Sequence, residues 1–308
     1  MNEKKIQDAI NKGIEYLTNN QNDDGSICLK KDRTWDVWET ANALLAIDKQ
    51  DAENHFIKKS IDFLSKSKRK DDSFYVSSTY KENQYCMETT PTVSSAFKKH
   101  GIILNETIDF IVKKQKKEGY WEIGIPEIVK YKDWPSVTGF ALNSLSGFES
   151  ILDNIQIGIA WLKDKQQKNG SWGHHFIYYD SPFYPMHIIL KVLKENNLQD
   201  TPTFEKAIRY VIEKQKKEGY WEIETKYEKK PSVELRTSLA LLCLLKSDKE
   251  QNILCLEKGI EWLIKKQEKN GCWNGGFFVG WPGKKEDIYT TSLAISALKE
   301  YNCKFFKK

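Results

Sequence analysis

Gln215-Lys216-Lys217-Glu218-Gly219-Tyr220-Trp221 is a glutamine, a glycine four places on and a tryptophan two beyond that. The same frame returns at Gln21/Gly25, Gln115/Gly119/Trp121, Gln166/Gly170/Trp172 and Gln267/Gly271/Trp273, with Ile27 at the aromatic place of the first copy. A degenerate sixth copy has Lys68 and Asp72 at the glutamine and glycine places and Phe74 at the aromatic one. The period is about fifty residues, which accommodates two helices and their turns.

Working outward from each box, the residues before the glutamine form an amphipathic helix, as in Ile10, Ile14, Tyr16 and Leu17, or Ile260, Trp262, Leu263 and Ile264, with lysines opposite. The residues after each loop form a second helix that is small and apolar nearly all round: Thr40–Ile47, Val137–Leu145, Thr237–Leu245 and Thr291–Leu298. A helix apolar on every side must be covered on every side. Six outer helices around six inner ones satisfy that demand, so the expected fold is all-α, a closed (α/α)6 toroid spanning residues 1–308 as one domain. Within the box, the glycine is expected to end the outer helix in a left-handed cap, and the tryptophan to pack between repeats. The glutamine amide is expected to serve free backbone groups at the next helix end.

Composition narrows the function. The 308 residues carry 48 Lys+Arg against 43 Asp+Glu, a net charge of +5 scattered in short runs such as Lys113-Lys114, which does not make a nucleic-acid stripe. No stretch is apolar for long enough to cross a membrane, and Met1-Asn2-Glu3-Lys4-Lys5 leads into no apolar signal core, so a cytoplasmic location is expected, with peripheral membrane contact left open. The six cysteines form no Cys-x-x-Cys pair and most sit in apolar runs, which argues against a disulfide frame. Ten Trp, 14 Tyr and 14 Phe against three Met are the unusual feature, and the boxes absorb four of the tryptophans.

The boxes, their spacing and the alternating helices resemble the repeats of the squalene-hopene and oxidosqualene cyclases and of the protein prenyltransferase β subunits. The resemblance covers essentially the whole chain and implies a single toroid, with chemistry inside it where the inner helices begin. Those starts are Asp36–Ala41, Tyr85–Thr90, Asp133–Thr138, Asp180–His187, Ser232–Thr237 and Asp287–Ser292. Capping accounts for many of their Asp, Ser and Thr residues. It does not account for Trp38, Trp134, Tyr184 and Tyr289 in the same turns.

The cyclases carry Asp-x-Asp-Asp-Thr-Ala, whose middle Asp protonates an alkene or epoxide. Asp36-Val37-Trp38-Glu39-Thr40-Ala41 matches this frame, but Trp38 stands at the proton-donating place. The resemblance then implies Glu39 as the acid with Asp36 as its orienting partner and Asp180 and Asp287 as further carboxylates. Trp38, Glu88, Asp133, Trp134, Tyr184, His187, Glu234 and Tyr289 would contact an apolar, isoprenoid-like small molecule. The prenyltransferase zinc set is missing: in Asp287-Ile288-Tyr289-Thr290-Thr291 a threonine replaces the ligating histidine, and Ser232–Arg236 offers no cysteine. No metal and no cofactor are therefore expected. Cys86-Met87-Glu88 with His187 is a poor substitute, since such residues are more often structural. His174 and His175 fit a surface turn. Two other readings stay open: a non-catalytic binding or partner toroid that has lost the family's catalytic set, and a paired-carboxylate glycosidase drawing on the acids Asp36, Glu39, Glu88, Asp133, Asp180, Glu234 and Asp287.

Overall fold

The computed structural model describes residues 2–79, 84–125, 133–173, 181–223, 232–249, 252–278, 281–284 and 287–306. The amphipathic helices are α1 (Glu3–Asn19), α3 (Asn54–Lys66), α5 (Asn105–Lys113), α7 (Leu152–Asp164), α9 (Pro202–Glu213) and α11 (Ile253–Lys265). They alternate with α2 (Asp36–Ala46), α4 (Thr89–Lys99), α6 (Pro135–Leu145), α8 (Phe183–Glu195), α10 (Val233–Leu244) and α12 (Ile288–Phe305). This second set is buried as its composition demands: all of α2 except Leu45, and all of α10 from Leu235 to Leu244. A short antiparallel hairpin, β1 (Gly276–Phe278) with β2 (Trp281–Lys284), interrupts the otherwise helical chain before α12.

The chain divides into two compact units. In residues 18–165, the buried helix α4 lies between α2 and α6, while α3, α5 and α7 cover α2, α4 and α6 respectively. In residues 1–17 with 166–308, α10 lies between α8 and α12, α9 covers α8 and α10, and α11 covers α10. There α1 packs through Gly13, whose Cα faces Ile295 and the ring of Trp273.

The box does three jobs, each with its own hydrogen bond. The glutamine amide donates to a main-chain carbonyl in the next amphipathic helix, with Gln21 reaching Phe56 at 2.9 Å, Gln115 reaching Asn154 at 2.8 Å and Gln215 reaching Cys255 at 2.8 Å. Gln166 reaches Thr203 at 2.8 Å and Gln267 reaches Ala9 at 2.9 Å. In four copies the same amide also bonds the carbonyl of its own glycine, at 2.9 to 3.1 Å. The indole N–H of Trp121, Trp221 and Trp273 donates to Ile111, Val211 and Leu263, carbonyls in the last turn of the preceding helix that also accept the N–H of the helix C-cap residue at 3.1 to 3.2 Å. The backbone N–H at the aromatic place donates to a threonine hydroxyl in the first turns of the following buried helix: Ile27 to Thr40, Phe74 to Thr90, Trp121 to Thr138, Trp221 to Thr237 and Trp273 to Thr291. Helix α8 contains no threonine.

The expectation for the glycine is thereby corrected. The glycine does not cap a helix: α9 ends at Glu213, and Gly219 lies six residues beyond in a turn closed by its N–H to Lys216 O. Its φ of +101° and its approach to the next helix are what require glycine, since a Cβ there would sit 2.4 Å from the Lys258 carbonyl oxygen. The glutamine reaches the start of the next amphipathic helix as expected and so ties one repeat to the next, while the tryptophan adds a second donor to a carbonyl in the last turn of its own helix. The degenerate copy substitutes for both: Asp72 takes the left-handed conformation at φ 64°, and its carbonyl accepts from the Thr107 hydroxyl at 2.8 Å.

Gly219→Ala is expected to destabilise by at least about 2 kcal/mol, through the left-handed backbone and the carbonyl clash together. Trp221→Phe, which removes the indole donor to the Val211 carbonyl but leaves that carbonyl the Lys214 N–H, is expected to cost about 0.5–1.5 kcal/mol. Urea unfolding midpoints of the two variants against wild type check both figures.

Candidate functional site

The starts of the buried helices hold the candidate residues, and each unit has its own set. In residues 18–165, α2 begins without a side-chain cap of its own. Its first turn carries Asp36, Trp38 and Glu39, which are 0%, 4% and 2% exposed. The Trp38 ring meets Phe140 of α6 edge-on, with centroids 5.7 Å apart. Glu88, immediately before α4, is buried, and its Oε1 accepts from the Ser136 hydroxyl of α6 at 2.8 Å. This unit thus has a buried carboxyl group in the first turn of α2, Glu39, another just before α4, Glu88, and an aromatic contact between α2 and α6.

Asp36 is engaged differently. Arg33 Nε and Nη2 donate to its Oδ2 at 3.3 and 3.1 Å, and Ser78 donates from its backbone N–H to Oδ1 at 2.8 Å and from its hydroxyl to Oδ2 at 2.5 Å. Arg33 in turn bridges to Asp24 of the first box at 2.5 Å. These bonds tie Asp36 to the surrounding chain and do not orient Glu39. Asp133 sits at the surface, paired with Lys165 at 3.1 Å, while Trp134 is half-buried just before α6.

In the other unit, Asp180 lies outside the described residues, as do His174 and His175. Asp287 is the cap of α12: its Oδ2 accepts from the Thr290 N–H at 2.8 Å and from the Thr290 hydroxyl at 2.5 Å. The residue that replaces the expected zinc histidine thus completes a helix cap. Glu234 is partly buried in the first turn of α10, and burial raises its carboxyl above the usual range. Tyr184 and Tyr289 are 0% and 5% exposed. Among the described residues, no group of three His, Cys, Asp or Glu side chains is placed to hold a metal ion.

Several relevant residues escape a reading of the sequence. Ser78 and Ser136 are hydroxyls distant in sequence from the carboxylates they bond. Arg236, 0% exposed on α10 with its Nη1 3.4 Å from the Ile223 carbonyl, is a cation in an apolar run, and that incongruity was its only signal. Arg33, three places before Asp36, was legible from spacing.

His187 of α8 bonds the Tyr184 carbonyl through Nδ1 and is 9% exposed. Burial lowers its imidazole from 6.5 to about 4, so it is neutral in the folded protein at neutral pH. The unfolded chain binds the extra proton first as pH falls. Stability present in full above about pH 6.5 is therefore lost progressively toward about pH 4, on the order of 3 kcal/mol in all. Thermal midpoints measured from pH 7 to 4.5 are expected to fall less steeply in His187→Gln than in wild type, and equal slopes would remove His187 as the cause.

With this geometry in place, the likeness to known proteins is informative at both ends of the chain. Residues 1–122 match the prenyltransferase alpha-alpha toroid domain, and residues 183–302 match the squalene-hopene cyclase C-terminal domain. Among curated protein sequences none matches significantly. Among solved structures, the type II terpene cyclase MstE from Scytonema with its product merosterolic acid A superposes with a TM-score of 0.76 at 13% identity, covering 98% of this chain and 99% of that one. The ent-copalyl diphosphate synthase of Streptomyces platensis gives 0.65 at 15% identity over 88% of this chain and 50% of its own. A protein of Salmonella enterica described as a possible GH105 family member gives 0.65 at 13% identity over 99% and 96%. At such identities the likeness is one of fold. It agrees with the alternating helices of the described residues and the repeated boxes: the first part of the chain is similar to the prenyltransferase alpha-alpha toroid domain and the last part to the squalene-hopene cyclase C-terminal domain, and the shared feature is the fold.

Proposed function

We propose that this protein is a terpene-cyclase-like toroid that binds an isoprenoid or similar apolar chain against the aromatic residues at the buried-helix starts, and that Glu39 is its proton donor. The observation that carries this reading is the division of labour within Asp36-Val37-Trp38-Glu39. Asp36 accepts four hydrogen bonds from Arg33 and Ser78, an indole cannot protonate an alkene, and Glu39 is the remaining acid, 2% exposed. An acid that must keep its proton near neutral pH is helped by such burial, which disfavours the charged form. The aromatic rings of Trp38 and Phe140 beside it are groups that attract a developing carbocation through their faces. MstE, with the same fold, has been seen with the substrate geranylgeranyl dihydroxybenzoate, a polyprenyl chain on an aromatic head, which supports a ligand of that size class.

One observation favours a second reading, binding without chemistry. Trp38 occupies the place where a cyclase keeps its acid and is packed into the unit against Phe140. The GH105-like neighbour shares the fold alone and adds nothing to a glycosidase reading.

The test is incubation with isoprenoid alcohols, diphosphates and hydrocarbons from C10 to C30, with products followed by mass spectrometry and binding by thermal shift. At least one chain is expected to raise the melting temperature and to be converted, and Glu39→Gln is expected to bind it as tightly while losing at least about 100-fold in turnover, as removal of a general acid does. Binding with no product from wild type selects the second reading. No binding of any chain overturns both.

A further inference from the structure

Asp36 is the one acid of the family frame that the chain keeps, yet its bonds point away from chemistry and toward a segment forty residues distant. Residues 76–78 cross the first turn of α2. The Trp38 N–H donates to the Val76 carbonyl at 3.3 Å, and the Ser77 hydroxyl donates to the Arg33 carbonyl at 3.2 Å. Two other copies have a related bridge made from backbone to backbone: Met87 N–H to Ile123 O at 2.8 Å, and Ser232 N–H to Gly275 O at 3.2 Å. At α2 a side-chain latch is added, the two bonds from Ser78 to Asp36, at 2.8 and 2.5 Å.

The burial pattern gives this segment its character. Asp36 is 0% exposed, whereas the residue that covers and bonds it, Ser78, is exposed, as is Thr79, and Val76 is only half-buried. The strap is thus held by polar contacts, with little apolar surface to anchor it. The helix beneath is locked by an almost continuous apolar surface. Elements of the first kind open locally at much lower cost than elements of the second.

We propose that residues 76–79 are a strap latched by Asp36 over the first turn of α2, and that its release, without unfolding of the helix, is what exposes the turn bearing Trp38 and Glu39. Asp36 acts here as a positioning residue that keeps the strap closed. The ligand this would admit rests on the isoprenoid reading above. The strap itself does not.

Hydrogen exchange measured by mass spectrometry decides the matter, because the Trp38 and Ser78 amides are the two whose acceptors are lost when the strap lifts. Ser78→Ala removes one latch bond to a charged acceptor at an exposed position. It is expected to speed exchange at both amides about tenfold or more, with residues 40–46 of α2 unchanged. Ser78→Pro removes both bonds and is expected to give the larger effect. Unchanged exchange in both variants would overturn the strap, and so would faster exchange spread over all of α2, since Ser78 would then merely support the helix. In a second arm, stopped-flow tryptophan fluorescence follows uptake of geranylgeraniol, expected to be several-fold faster in Ser78→Ala. Failure of geranylgeraniol to bind wild type would count against the ligand reading, while the exchange result would still decide the strap.

Discussion

A glutamine amide shared between two main-chain carbonyls is the interaction on which the repeat depends. Gln215 bonds the Gly219 carbonyl in its own turn and the Cys255 carbonyl in α11, and so fixes the turn and the neighbouring helix against each other. The approach is close enough that only a glycine fits between them, with Gly219 against the Lys258 carbonyl. Trp221 then drops into the joint, where its ring faces Gly259 of α11 and its N–H closes the end of α9. Each bond is worth about 1 kcal/mol net, but the groups are buried, so a missing partner costs more than the bond contributes. Glutamine, glycine and tryptophan are therefore required together.

The same joint positions the candidate site. The backbone N–H that follows the glycine turn is handed to a threonine one turn into the next buried helix, as Trp221 to Thr237 and Ile27 to Thr40. Thr40 follows Glu39 directly and returns its own hydroxyl proton to the Asp36 carbonyl at 2.5 Å. The acid proposed for the chemistry and the carboxylate proposed for the latch thus share one turn of helix with the residue that registers the repeat.

How much of this was legible follows from the range of each interaction. The helices and their faces were readable because the box recurs and a helix apolar all round admits one environment. The role of the glycine was misread because a left-handed glycine near a helix end usually means a cap, whereas here the turn lies six residues past α9 and the determining contact is with a helix forty residues away. Asp287 behaved as Asp-x-x-Thr suggests, capping α12 locally. Asp133 read as a rim acid because it precedes a helix, but Lys165 holds it at the surface. Nothing near Asp36 in the sequence names Ser78, and nothing near Glu88 names Ser136, because hydroxyls have no periodicity to betray them.

The kept and lost positions of the cyclase frame can be understood on physical grounds alone. A carboxylate buried at a helix start is costly unless its oxygens are filled, and the Asp36 oxygens are filled by a guanidinium and two donors of Ser78. Removing Asp36 would leave Arg33 with Asp24 as its carboxylate partner and take from Ser78 both of its bonds to α2, whatever the protein catalyses. At the middle position stands an indole that packs edge-on against Phe140. Retention of Asp36 therefore says little about chemistry, and the proposal of an acid turns on Glu39, whose carboxyl is 2% exposed.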